Sequence, residues 1–226
     1  MTPEQLRSIG IIDTMVTMPS KRTAWHEDFG SLVRDTASKE LGHPGGYMFN
    51  DLPEVDGDRD YPAFLLTEMD RWGIDQAVLP VAVPDGGGRL HGSVLLDPND
   101  GVDAVRTLRD AVSAGGVVAA AVFPSGTNPQ QDIAAPLMYP IYSACVELDL
   151  AIFLNVGVPG PRFPMQTQHV EHLDRVCYDF PDLRVLMRHG GEPWDALAVK
   201  LMLKWPNLYY TTSAFAPKHY PRSIID

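Results

Sequence analysis

Seven short apolar runs, each stopping abruptly at polar or small residues, most constrain what this chain can fold into. They lie at Arg7–Val16, Gln76–Val83, His91–Leu96, Val117–Phe123, Ala151–Val156, Leu183–Met187 and Leu208–Thr212. Runs of this length, rich in Val, Ile, Leu and Met, suit strands buried on both faces of a parallel sheet. From residue 62 onward, segments of helical period separate them: Ala63–Trp72 ending at Gly73, Val102–Ala114 ending at Gly115-Gly116, Leu137–Leu148, Gln168–Phe180 and Asp195–Lys204. Strands alternating with helices make βαβ units, whose crossovers give a parallel sheet. A doubly wound open sheet would place its chemistry at one switch point, whereas here polar residues follow nearly every strand. The pattern therefore predicts an α/β fold of the TIM (β/α)8-type barrel. Seven units fall one short of eight, and such barrels run to about 250 residues. The expectation is a single domain over 1–226 that lacks the last strand and closing helices. Residues 17–62 break the rhythm and predict a loop or lid insertion with one helix at His26–Lys39.

The stretch LRVLMRHGGEPW at Leu183–Trp194 shows the unit most clearly. The strand ends on Arg188-His189, Gly190-Gly191 permits a tight turn, and Glu192-Pro193 suits the start of a helix. Polar groups at the carboxyl ends of barrel strands are where such folds place chemistry. His189 could act there as acid or base, or could merely hydrogen-bond a neighbouring loop. Asp13, ending the first strand, could orient His189, or could be satisfied by local backbone N–H groups. Arg162 and Arg188 follow the fifth and sixth strands and could clamp a substrate carboxylate, or pair with loop carboxylates. His169 lies close enough to the fifth-strand loop to reach the same rim. The H-x-E-H run it forms with Glu171 and His172 is not the zinc signature H-E-x-x-H.

Composition narrows the partners. A net charge of -11, spread along 226 residues, argues against DNA and anionic membrane surfaces. No apolar run approaches the roughly 18 residues of a membrane span, and the N-terminus carries no signal pattern, so the expected address is the cytoplasm. Cys145 and Cys177 lie within expected helices and read as core residues of a reducing compartment. Gly86-Gly87-Gly88 lacks the Lys-Ser/Thr of a phosphate loop, Asp97-Pro98-Asn99-Asp100-Gly101 lacks the final Glu of a calcium loop, and no G-x-S-x-G elbow occurs.

Several longer stretches carry a resemblance. IIDTMVTMP at Ile11–Pro19, EMDRWGIDQAVL at Glu68–Leu79, LDPNDG at Leu96–Gly101, the run Met138–Arg162, the run His172–Trp194 and KWPNLYYTTSAFAP at Lys204–Pro217 occur in order. Together they resemble the amidohydrolase-related family, in the branch that includes aminocarboxymuconate-semialdehyde decarboxylase. The resemblance implies a barrel enzyme that hydrolyses or decarboxylates a small carboxylated or cyclic metabolite, with hydrolysis as the default. It also implies a divalent metal, commonly zinc, held by a His-x-His pair after the first strand, histidines after the fifth and sixth, and a late Asp. Carried across, the pair falls on Met15 and Thr17, the fifth-strand histidine on Asn155 and the sixth on His189, while the late Asp has no counterpart. Zinc wants three or four N, O or S donors, and a thioether, a hydroxyl and an amide serve poorly. The expectation is thus an enzyme without cofactor or metal ligands, working by acid-base chemistry. His189 is its base, Asp13 and Asn155 complete the inner site, and Arg162, Arg188 and His169 bind substrate. The partners expected are a small-molecule substrate and a second copy of the chain pairing at open sheet edges. The rival expectations are a non-catalytic ligand-binding relative and a truncated, inactive fragment.

Overall fold

The structure, a computed structural model, describes residues 8, 10–16, 29–43, 45–48, 60–83, 88–213 and 217–225. Its strands are β1 (Ile12–Asp13), β2 (Gln76–Leu79), β3 (Leu90–Leu95), β4 (Val117–Val122), β5 (Ala151–Asn155), β6 (Arg184–Arg188) and β7 (Leu208–Tyr210). They form one sheet in chain order, with every neighbouring pair parallel. The helices are α1 (Thr36–Lys39), α2 (Tyr61–Trp72), α3 (Val102–Ala114), α4 (Tyr139–Glu147), α5 (His172–Asp179), α6 (Asp195–Lys204) and α7 (Arg222–Ile225).

Because side chains alternate across a strand, each strand serves two cores. Ile152 and Leu154 of β5 and Val185 and Met187 of β6 face the helices, joining Tyr142, Leu173 and Leu201 in the largest cluster. Their neighbours Phe153 and Leu186 face inward, against Val78, Ala119 and Ala121. The inner layer favours small residues because a curled sheet of this size leaves room for little more than packed side chains. Cys145 and Cys177 are buried in the outer core, where burial pushes both thiols up to about 12. The sheet curls until the residues following β1 and β7 meet, Thr14 Oγ1 bonding Thr211 Oγ1 at 3.0 Å. At these two edges the inward-facing Ile12 and Tyr209 remain 56% and 48% exposed. The barrel-type architecture is therefore as expected, with seven strands among the described residues.

Boundaries differ from the expected ones for local reasons. The first strand shrinks to two residues because the Asp75 carboxylate accepts the Ile11 N–H at 2.7 Å and the Asp13 carboxylate accepts that of Met15 at 2.9 Å. Both are backbone donors that a strand ladder would otherwise use. β2 stops before Pro80, which has no N–H to donate. Helix α5 begins at His172, because Gln166–Gln168 form a separate 3-10 turn. The helix expected at His26–Lys39 appears, within its described part, as a 3-10 turn at Gly30–Leu32 and the short α1. Asp35 restarts it as an N-cap, accepting the Ser38 N–H at 2.8 Å. Residues 17–28 and 49–59 of the expected insertion lie outside the described residues.

Candidate functional site

The end of β6 builds a run of three consecutive residues in the left-handed region. His189, Gly190 and Gly191 follow it with φ of 67°, 77° and 68°. Glycine is required at the last two. A Cβ on Gly190 would lie 2.4 Å from the Tyr210 hydroxyl, and one on Gly191 would lie 2.9 Å from a Val170 methyl. His189 adopts the left-handed region without that freedom, at a cost of about 1 kcal/mol. Ser213 holds it there. The Ser213 Oγ accepts the His189 backbone N–H at 3.2 Å and lies 3.2 Å from the ring Nδ1. Burial and the neighbouring Arg188 charge push the imidazole down to about 4, against an opposing pull from the Ser213 backbone. The ring is neutral at physiological pH. Of the two helix starts that the sequence offers, Asp195 is the observed one; the Glu192-Pro193 peptide ahead of α6 is cis.

Arg188 is 7% exposed, with its guanidinium 4.6 Å above the Phe153 ring. One Nη donates to the Thr14 carbonyl at 2.9 Å, so the side chain spans the mouth from β6 to the end of β1. The Nε is buried without a partner among the described residues. Burial lowers the group to about 10, opposed by the Asp13 charge, which leaves it a cation at neutral pH. Asn155 pairs with Arg188 in the β5–β6 register, so the two sit side by side on adjacent strands at the same rim.

The structure thus brings together His189, Arg188 and Asn155, but uses the other expected site residues differently. Asp13 pairs in register with Ala77, on the helix-facing side of the sheet beside α2. Its carboxylate takes the Met15 N–H, and its charge helps raise the Tyr61 hydroxyl, after burial. The position expected for Asp13 beside the His189 ring is filled by Ser213. Arg162 pairs with Asp35 at 2.8 Å, touches Ser38 Oγ at 3.3 Å and lies 4.7 Å over the Tyr47 ring. It fastens the segment around α1 to the loop after β5. Phe29, 5.5 Å from Phe123 and 6.2 Å from Phe163, packs beneath that contact. His169 packs against Trp194 at 4.0 Å between centroids, the rings tilted by 51°, and its Nδ1 accepts the Glu171 N–H.

Two groups escaped the sequence reading. Ser213 belongs to a stretch noted only for its resemblance, although a hydroxyl just past a strand end was the available signal. Gln168, 1% exposed, ties the loops after β4 and β5 by donating to the Gly157 carbonyl at 3.0 Å and accepting the Ser125 N–H at 3.4 Å. Nothing in an isolated Gln foretells such a role.

As to metal, the described residues offer no group of three or more His, Cys, Asp or Glu side chains that could hold an ion. Met15 and Asn155 supply a thioether and an amide, Thr17 lies outside the described residues, and His189 is the usual ligand among the described positions that the resemblance marks. These donors do not make a three- or four-ligand site.

The amidohydrolase family profile matches residues 57–225. The chain belongs to the amidohydrolase family. No curated protein matches it. Among solved structures, this amidohydrolase is similar to an uncharacterized TIM-barrel protein from Bordetella bronchiseptica, at 19% identity and TM-score 0.60 over 90% of this chain and 75% of that one. A 4-oxalomesaconate hydratase from Rhodopseudomonas palustris matches at 17% identity and TM-score 0.53, covering 91% and 75%. A 5-carboxyvanillate decarboxylase from Novosphingobium aromaticivorans, complexed with manganese and a nitrobenzoic acid, matches at 16% identity and TM-score 0.59, covering 86% and 68%. These likenesses place the chain among TIM barrels. The expectation of an enzyme without a cofactor is corrected here: family membership, with a manganese-bound protein among its fold neighbours, points to metal use. Met15 and Asn155 are weak donors, but a protein can recruit metal ligands from positions that a resemblance does not mark. No described helix is long and apolar enough to cross a membrane.

Proposed function

We propose that this amidohydrolase is a hydrolase of the aminocarboxymuconate-semialdehyde decarboxylase-like branch, acting on a small carboxylated or cyclic metabolite at the carboxyl ends of its strands. One observation carries the reading: a buried guanidinium, Arg188, and a neutral imidazole, His189, stand side by side at the mouth of the sheet. Arg188 carries the charge that a substrate carboxylate needs, with an Nε–H still unmatched. Buried next to it, His189 accepts a proton poorly. We therefore replace the expected base with a hydrogen-bond donor that polarises a substrate carbonyl, the role a neutral imidazole plays best at neutral pH. Asn155 adds an amide at the same rim.

The test is a panel of small esters, amides and lactones, each with and without a carboxylate, offered with manganese or zinc supplied. The reading expects turnover confined to carboxylated members, and a KM raised about tenfold or more by Arg188→Gln. Equal turnover of uncharged members, or an unchanged KM in that variant, would count against it.

A further inference from the structure

We propose that Ser213 is a positioning residue that fixes the ring tautomer of His189, keeping the imidazole proton on Nε2. A serine hydroxyl has a single proton to give and two lone pairs to accept with. The Ser213 Oγ already accepts the backbone N–H of His189 at 3.2 Å. Its own proton therefore needs an acceptor, and the His189 Nδ1, also at 3.2 Å, is the one within reach among the described residues. Were Nδ1 instead protonated, the Oγ would accept twice and its own proton would have no partner among the described residues, leaving that arrangement one hydrogen bond short. Donation from Oγ to Nδ1 makes Nδ1 the acceptor, and a neutral imidazole then carries its proton on Nε2. The two bonds also share a geometry. Ser213 grips the backbone and the ring of one residue that stands in the left-handed region, at φ 67°. Ser213, 24 residues away in sequence and one strand away in the sheet, therefore ties the ring to its own main chain. The consequence for the site rests on the proposed role of His189: a ring so held presents an N–H, not a lone pair, to whatever approaches Nε2.

The tautomer can be read without any substrate. The full-length protein, labelled with 15N in its histidines and dialysed against a chelator, is examined by two-bond proton–nitrogen correlation near neutral pH. The His189 signals are identified by their loss in His189→Gln. We expect the pattern of the Nε2–H form in the wild type, a ratio of Nε2–H to Nδ1–H lowered about tenfold in Ser213→Ala, and recovery in Ser213→Thr. A wild-type ring protonated on Nδ1, or an unchanged pattern in folded Ser213→Ala, overturns the proposal. Should Ser213→Ala fail to fold, the wild-type pattern and Ser213→Thr still decide it. Loss of the enzymatic reading alone would leave these spectra as expected, so the two failures are distinguishable.

Discussion

Replacing Gly190 by Ala should destabilise the protein by about 2–5 kcal/mol, through two separable effects. The residue stands at φ 77°, where an L-side chain costs about 1–2 kcal/mol. The new Cβ would also lie 2.4 Å from the Tyr210 hydroxyl and 3.3 Å from its Cζ. Restoring ordinary contact needs the hydroxyl to retreat by roughly 1 Å within a packed region, an overpacking cost of about 1–3 kcal/mol. Urea unfolding measures the sum directly, and a thermal scan should show a fall of roughly 5–15 °C. Tyr210→Phe separates the parts, because it removes the atom at 2.4 Å and leaves the backbone demand untouched. In the double variant about 1–2 kcal/mol should return, while the conformational part persists. A cost below about 0.5 kcal/mol for Gly190→Ala, or two variants additive within about 0.3–0.5 kcal/mol, would refute the reasoning.

Two further outcomes follow from buried groups. His189 is lowered from 6.5 to about 4, so the folded state resists a proton that the unfolded chain accepts. Its contribution is complete above pH 6.5 and is lost as the pH falls through 4, roughly 3 kcal/mol over that window. The stability of the chelator-treated wild type should therefore fall more steeply there than that of His189→Gln; parallel curves would contradict the burial of the ring. Tyr142 is fully buried and its hydroxyl donates to the Ile133 carbonyl at 2.6 Å. Tyr142→Phe strands that carbonyl and should cost about 1–3 kcal/mol by urea unfolding, and a neutral result would mean that the carbonyl finds another partner.

The fold was legible because its signals are local. The runs that became β4, β5 and β6 were found within about a residue of their ends, since apolar segments bounded by Gly, Pro and Asp leave little choice. α3 and α6 were found with the observed bounds. β1 was overdrawn, because two carboxylates, Asp75 and Asp13, capture backbone donors that an apolar pattern assigns to a ladder. The site was legible only as an address. The rule that barrel chemistry sits at strand ends led to His189, Arg188 and Asn155, which do share one rim. Which partner each group meets depends on the topology. Arg162 finds Asp35 across 127 positions, and Arg188 finds the Thr14 carbonyl across 174. No spacing rule encodes such distances. Ser213 was overlooked for the same reason, since a hydroxyl near a strand end becomes meaningful only when the neighbouring strand is known.

The central claim is that His189, at the end of β6, does the chemistry of this amidohydrolase. It is tested most directly by kcat/KM of His189→Ala, which removes the donor outright, against wild type, on whichever carboxylated substrate the panel yields, with manganese or zinc supplied and both proteins shown to be folded. The account predicts a fall of about 10²–10³-fold, the cost of losing one donor to a developing oxyanion. Kinetics unchanged from the wild type would contradict it.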